Sequence, residues 1–135
     1  MKKISLVSDT INREDINALI EWLRQEPIPR LTKGDLTILV EKKWAEKVGT
    51  KYSVFVNSGS SAILLLLAAL KETGEYSNKI ICPTLSWITD ISSPMLLGFE
   101  PILCDCNLED LSCDLDNLEQ LFKQHRSDKP MLFIS

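Results

Sequence analysis

The sequence predicts an α/β fold built on a mainly parallel sheet flanked by helices. Three observations carry this. Strand-like runs alternate with helix-like runs along the chain, and no hairpin turn joins two strand-like runs; that is the pattern of βαβ units. Within residues 52–70, an apolar strand-like run, a turn of small residues and an apolar helix-like run follow one another directly. The 135 residues are 44% hydrophobic and 25% charged, enough apolar material for one domain with a buried core.

Taken in order, residues 1–12 read as an extended arm. Residues 13–25 read as a helix with Ile16, Leu19, Ile20 and Leu23 on one face and Asn12 as its N-cap; Pro27 and Pro29 stop it. Arg30-Leu31-Thr32-Lys33-Gly34-Asp35 is a loop, and residues 36–48 form a second amphipathic helix that Gly49 closes. Residues 52–56 are β-branched and aromatic and read as a buried strand. Residues 57–61 are a small-residue turn, and residues 62–70 are apolar on every side, which predicts a helix buried all round. Lys79-Ile80-Ile81-Cys82 is a short strand with Pro83-Thr84-Leu85-Ser86 as its exit loop. Residues 87–97 are helical with a weak point at Pro94, residues 100–104 a strand, residues 107–114 an acidic loop, and residues 115–125 a helix. Residues 131–134 begin one more strand, so the expectation is the N-terminal part of a longer protein.

Several function classes recede on bulk grounds. The net charge is -4 with no Lys/Arg cluster, which argues against a nucleic-acid partner. The longest apolar run, residues 62–70, is too short to span a bilayer, and Met1-Lys2-Lys3-Ile4-Ser5 leads into no apolar core of signal length. The expectation is a cytoplasmic protein with no membrane partner. Cys82, Cys104, Cys106 and Cys113 match no standard structural zinc spacing, and the single histidine, His125, falls on a different element. Reduced structural thiols are the simpler reading, with His125 a surface residue near a helix end.

The turn Asn57-Ser58-Gly59-Ser60-Ser61 is where chemistry concentrates. Free N–H groups of the first helical turn, serine hydroxyls, and a glycine that admits close approach or a positive φ would together cradle a phosphate or another anion. The simpler alternative is an N-cap serine and a turn glycine. Neither a Walker A loop nor a G-x-G-x-x-G fingerprint is present. Ligands of parallel α/β sheets sit beyond the carboxyl ends of the strands, where the exit loops at residues 57–61 and 83–87 would converge. An anion cradle would then face the indole of Trp87, unless Trp87 is a core residue of its helix.

At these residues the chain resembles the DegT/DnrJ/EryC1/StrS sugar aminotransferases, pyridoxal-phosphate enzymes of the aspartate-aminotransferase fold. Leu31-Thr32-Lys33-Gly34 is similar to the family's Leu-Thr-x-Gly loop, and Asn57-Ser58-Gly59-Ser60-Ser61-Ala62 to its phosphate cup. Pro83-Thr84-Leu85-Ser86-Trp87 is similar to its Pro-x-x-Thr/Ser-aromatic segment, and Leu97-Gly98-Phe99-Glu100-Pro101-Ile102, followed by Asp105, to its Leu-Gly-Ala-x-Pro-Val strand. The resemblance runs over residues 30–135 and implies an N-terminal arm and helix over 1–29, followed by the front part of the cofactor-binding large domain over 30–135. It further implies that Gly59, Ser60 and Ser61 hold the phosphate of pyridoxal 5'-phosphate, that Trp87 stacks on its ring, and that Thr32 and Gly34 contact substrate. The aspartate for the pyridine nitrogen and the Schiff-base lysine, or the histidine that replaces it in sugar 3-dehydratases, would lie beyond Ser135; neither Lys71 nor Lys79 sits in a matching segment. The partners implied are a nucleotide-linked keto sugar, an amino donor such as glutamate, and a second copy of the chain. Asp35, Ile63 and Asp90 depart from the usual family pattern. Aminotransferase is the leading reading, sugar 3-dehydratase the alternative, and a non-catalytic phosphate-binding module the reading from another class.

Overall fold

In the computed structural model, which describes residues 8–132, the sheet is organised by its middle strand. Strand β1 (Lys79–Pro83) carries Ile80, Ile81 and Cys82, each with no accessible surface. Alternate side chains of a strand leave opposite faces, so this unbroken apolar run has to be covered on both sides. It pairs in parallel with β2 (Glu100–Cys104) and with β3 (Met131–Leu132), giving the order β2-β1-β3. Ile80 and Cys82 meet Leu67, Phe99 and Met131 on one face, while Ile81 meets Cys104 and Cys113 on the other. Burying a Leu or Ile side chain is worth about 1.5–3 kcal/mol, and these clusters hold most of the fully buried large side chains.

The chain divides into two units between Phe55 and Val56. In the first, α1 (Arg13–Leu23) opens with a capping box: Asn12 Oδ1 accepts the Glu14 and Asp15 N–H groups, and the Asn12 N–H donates to Asp15 Oδ2 at 2.9 Å. Helix α2 (Asp35–Val48) ends at Gly49, whose φ of 74° is the left-handed C-cap. In the second unit, α3 (Gly59–Thr73) and α4 (Thr89–Leu96) lie on the Ile80 face, and α5 (Leu115–Gln124) on the Ile81 face. Pro94 lies inside α4 and has no N–H for the Asp90 carbonyl. The buried Cys82 thiol donates to that carbonyl instead, at 3.5 Å.

The structure corrects three expectations. Residues 52–56 form no strand: Tyr52, Val54 and Phe55 are exposed, the Phe55 N–H donates to Glu41 Oε1 at 2.9 Å and the Ser53 hydroxyl to the Glu41 carbonyl at 2.6 Å. Propensity for a pleated surface makes a strand where a neighbour offers ladder partners, and here these polar groups are satisfied from α2. Helix α3 is not buried all round; Leu67 faces the sheet while Leu65 and Leu66 lie in solvent. The helix expected over residues 87–97 starts two residues later, at Thr89, so Trp87 precedes it, and its indole is 64% exposed. Residues 1–7 of the expected arm and residues 133–134 of the last strand lie outside the described residues.

A short ion-pair cluster ties the start of β1 to the turn before β3. Lys79 Nζ is 2.9 Å from Asp128 Oδ2, and His125 Nδ1 is 3.5 Å from the same oxygen. The hydrogen bond from Lys79 holds the Asp128 carboxyl below its ordinary value, and the same bond raises Lys79. A depressed acid stabilises the fold above its unfolded pKa, near 3.9, and loses that contribution as pH falls through the folded value. A raised amine stabilises it below its unfolded pKa, near 10.4, and loses that as pH rises through the folded value. The pair therefore contributes across the range between them. In an NMR titration the Asp128 carboxyl should titrate below the ordinary aspartate range, and Lys79→Met should bring it back up; an ordinary midpoint in the unmodified protein would contradict the pairing.

Candidate functional site

Ser58 is the N-cap of α3, with an extended backbone (φ -162°, ψ 161°). Its Oγ accepts the Ser61 N–H at 3.1 Å and donates to Ser61 Oγ at 3.1 Å, leaving the Ser61 hydroxyl proton to point elsewhere. The Ala62 N–H reaches the Ser58 carbonyl at 3.0 Å. The Gly59 and Ser60 N–H groups find no acceptor among the described residues, as expected of a first helical turn. No acidic residue sits in that turn, so the positive end of the helix is uncompensated. Gly59 does not have a positive φ, so the conformational reason for a glycine there falls. What the structure has instead is space: a Cβ built on Gly59 meets nothing within 4 Å.

Beside this turn lies a recess of about 360 Å³, lined by Ser60, Ser61 and Leu64 of α3 and by Ser92, Ser93 and Leu96 of α4. No charged side chain lines it. Two backbone N–H groups, several hydroxyls and no carboxylate make a donor set suited to an anion. Ser92 and Ser93 were not singled out from the sequence; the signal was a pair of small polar residues in the middle of a short helix, and it acquires meaning only once α3 and α4 are side by side. Trp87 is not among the residues lining this recess. Its carbonyl accepts the Asp90 N–H at 2.9 Å in the tight turn between β1 and α4, which leaves the indole in solvent.

The two other predicted positions belong to the first unit. Gly34 lines a recess of about 510 Å³ with Trp22, Pro27, Arg30 and Asp35, among others; Thr32 does not line it. Gly34 is the N-cap of α2 with φ -89°, and a Cβ on it would stand 2.7 Å from the Arg30 carbonyl oxygen. Close packing, not a left-handed backbone, excludes a side chain there. Lys71 and Lys79, which lie outside the matching motifs, have structural partners. Lys71 Nζ donates to the Leu97 carbonyl and lies 5.9 Å from the Phe99 ring centroid, and Lys79 pairs with Asp128. Among the described residues no group of three or more His, Cys, Asp or Glu side chains is placed to hold a metal ion.

With that geometry in hand, residues 9–129 match the family described as the DegT/DnrJ/EryC1/StrS aminotransferase family. The GDP-4-keto-6-deoxy-D-mannose 3-dehydratase of Yersinia pseudotuberculosis is 32% identical over 88% of this chain and 30% of its own length. The UDP-4-amino-4,6-dideoxy-N-acetyl-beta-L-altrosamine transaminase of Helicobacter pylori is 26% identical over 84% of this chain and 31% of its own. The solved structure of the E. coli GDP-4-keto-6-deoxy-D-mannose-3-dehydratase with bound hydrated PLP superposes with a TM-score of 0.65 at 28% identity, covering 85% of this chain and 30% of that one. The chain thus spans about three-tenths of the length of these relatives.

The two predicted substrate contacts should separate on substitution. Gly34→Ala forces its new methyl group against the Arg30 carbonyl and should destabilise the fold by about 1–3 kcal/mol. Thr32→Ala, at an exposed position, should stay within about 0.5 kcal/mol. Urea unfolding of the two variants checks this, and a neutral Gly34→Ala would mean that the α2 entry is looser than described.

Proposed function

The chain belongs to the DegT/DnrJ/EryC1/StrS aminotransferase family, and from that membership we propose that it contributes the phosphate cup of a pyridoxal-phosphate-dependent aminotransferase acting on a nucleotide-linked keto sugar. The observation that carries this reading is the start of α3, where the Asn57-Ser58-Gly59-Ser60-Ser61-Ala62 motif presents unpaired N–H groups and hydroxyls beside open space. Pyridoxal phosphate, when bound, supplies the electron sink for breaking bonds next to the transferred nitrogen. The chain's own residues bind and orient. The Gly59 and Ser60 N–H groups and the Ser60 and Ser61 hydroxyls hold the phosphate, the Trp87 indole covers one face of the ring and keeps water from it, and Thr32 with Gly34 contacts the sugar substrate.

A helix terminus contributes roughly 0.3–2 kcal/mol to an anion, whereas even millimolar affinity requires about 4 kcal/mol. This chain alone therefore binds the cofactor weakly and catalyses nothing; the complete protein carries the activity. We place that protein in the cytoplasm as a homodimer serving cell-surface polysaccharide synthesis, with glutamate as a suitable amino donor. Among the described residues no helix is long and apolar enough to cross a membrane. The exposed apolar side chains of α1 and α2, such as Leu19, Leu39 and Trp44, supply surface for a subunit contact.

A 3-dehydratase is the second reading, favoured by the 32% identity to the Yersinia dehydratase against 26% to the Helicobacter transaminase. Incubating the complete protein with a nucleotide-linked 4-keto-6-deoxy sugar and glutamate separates the two by mass spectrometry. An amino sugar supports the aminotransferase, a 3-deoxy sugar the dehydratase, and unchanged substrate a non-catalytic module.

The phosphate cup itself is tested by titrating pyridoxal phosphate into the complete protein and three variants. Ser60→Ala removes a charge-assisted hydrogen bond worth roughly 1.5–3 kcal/mol and should weaken binding about ten- to hundredfold. Trp87→Ala removes stacking worth roughly 0.5–1.5 kcal/mol and should also change the cofactor's absorbance. Gly59→Val should cost the most affinity while leaving the unfolding midpoint nearly unchanged, because the protein leaves the space beside Gly59 open. Unchanged affinity and spectrum in all three would reduce the motif to a capped helix start.

A further inference from the structure

The segment after β2 doubles back on itself and sets two cysteines opposite each other along the backbone. Cys106 and Cys113 are opposite partners in an isolated antiparallel bridge. Immediately outside and inside it, the Asp114 N–H donates to the Asp105 carbonyl and the Asn107 N–H to the Ser112 carbonyl, both at 2.8 Å. That arrangement puts the two cysteines at the non-hydrogen-bonded position of an antiparallel ladder, where Cα atoms are about 4.5 Å apart and both side chains leave the same face. A disulfide spans Cα separations of about 4.4–6.8 Å. All four cysteines carry free thiols in the structure, with Cys106 partly exposed and Cys113 at the edge of the core.

We propose that Cys106 and Cys113 are an oxidation-sensitive pair that a peroxide converts to a disulfide across the neck of this loop. The Cys106 thiolate attacks one peroxide oxygen. An S–O bond forms, the O–O bond breaks, and the departing hydroxide takes from solvent the proton that the Cys106 thiol released on ionising and leaves as water; the sulfur is oxidised to a sulfenic acid and the peroxide reduced. The Cys113 sulfur then attacks the Cys106 sulfur. The S–S bond forms, the S–O bond breaks, and hydroxide departs with the Cys113 proton as a second water. Partial exposure makes Cys106 the thiol that meets the oxidant.

Cys104, two residues earlier on the same strand, is the competitor. It is fully buried, and its Sγ donates towards the Asp105 and Asp114 carbonyls at 3.6 and 3.7 Å. Burial, with the neighbouring Cys113 sulfur, pushes its thiol up to about 11, so it stays protonated and unreactive. Burial beside Asp90 pushes Cys82 to about 11 as well. Closing the ring from 106 to 113 would hold Leu111, whose φ is 64°, and Ser112 in place. Both line a recess of about 400 Å³ with Leu85 and Ser86 of the loop that carries Trp87.

The test is oxidation of the complete protein with a small excess of hydrogen peroxide, followed by alkylation of remaining thiols and peptide mass spectrometry. No Lys or Arg lies between Lys79 and Lys123, so one tryptic peptide holds all four cysteines and should carry two alkyl groups and one disulfide, two hydrogen atoms lighter than its reduced form with the same two alkyl groups. Cleavage after Glu109 should then give two fragments joined until reduced. The link should persist in Cys104→Ser and vanish in Cys106→Ser. In Cys113→Ser a dimedone adduct should appear on Cys106. A link running through Cys104, or Cys106 and Cys113 both alkylated after peroxide, would overturn the proposal.

Discussion

Strand β1 has no solvent face. Ile80, Ile81 and Cys82 are in direct succession, and a strand directs successive side chains to opposite sides, so the sheet is stable only with a layer on each face. That requirement sets the rest. Parallel neighbours need crossovers long enough to hold a helix, and α4 and α5 are those crossovers, delivering Phe99 to one face and Cys113 to the other. Even the irregular features serve the strand. Pro94 frees a carbonyl inside α4 and Cys82 of β1 occupies it, so a local break in the helix ladder becomes a contact between layers.

The candidate site follows from the same layering. Helices α3 and α4 pack on the Ile80 face, and the recess opens where the first turn of α3 meets the middle of α4. Serine suits both sides of that meeting. It is small enough to let the helices approach, and its hydroxyl is a donor an anion can use. The apolar part of the lining, Leu64 and Leu96, does not compete for the hydrogen bonds. A site of this kind gains its strength from many modest donors fixed by helix geometry, which is why substitution of one serine should weaken it rather than abolish it.

What could be read from the sequence was whatever one element decides by itself. The Lys79-Ile80-Ile81-Cys82 run announces a strand, Asn12 announces a helix N-cap, and Gly49 announces a helix end. What could not be read depends on partners distant along the chain. Residues 52–56 have the residue types of a strand, but a strand also needs a ladder neighbour, and Glu41 takes up the polar groups of Ser53 and Phe55 instead. Helix α3 has apolar residues all round, yet which of them are covered is decided by α4 and the sheet, and so Leu67 is buried while Leu66 is not. Trp87 could be core or exposed on composition alone; α4 begins two residues after it and its indole is exposed.

The two glycines at helix starts, Gly34 before α2 and Gly59 in α3, lack side chains in different surroundings. Neither Gly34 nor Gly59 uses the positive φ that glycine uniquely tolerates. At Gly34 the reason for lacking a side chain is internal: the Arg30 carbonyl oxygen occupies the position, 2.7 Å from where a Cβ would be. At Gly59 no atom of a more distant described residue lies within 4 Å of that point. Conformation and packing among the described residues therefore leave Gly59 without a purpose. Under the proposed function, approach of the cofactor phosphate to the free N–H groups of Gly59 and Ser60 supplies one. An anion is the occupant the surroundings favour, because the helix end is positive, the first turn carries no acid, and the lining of the adjoining recess carries no charge to oppose it.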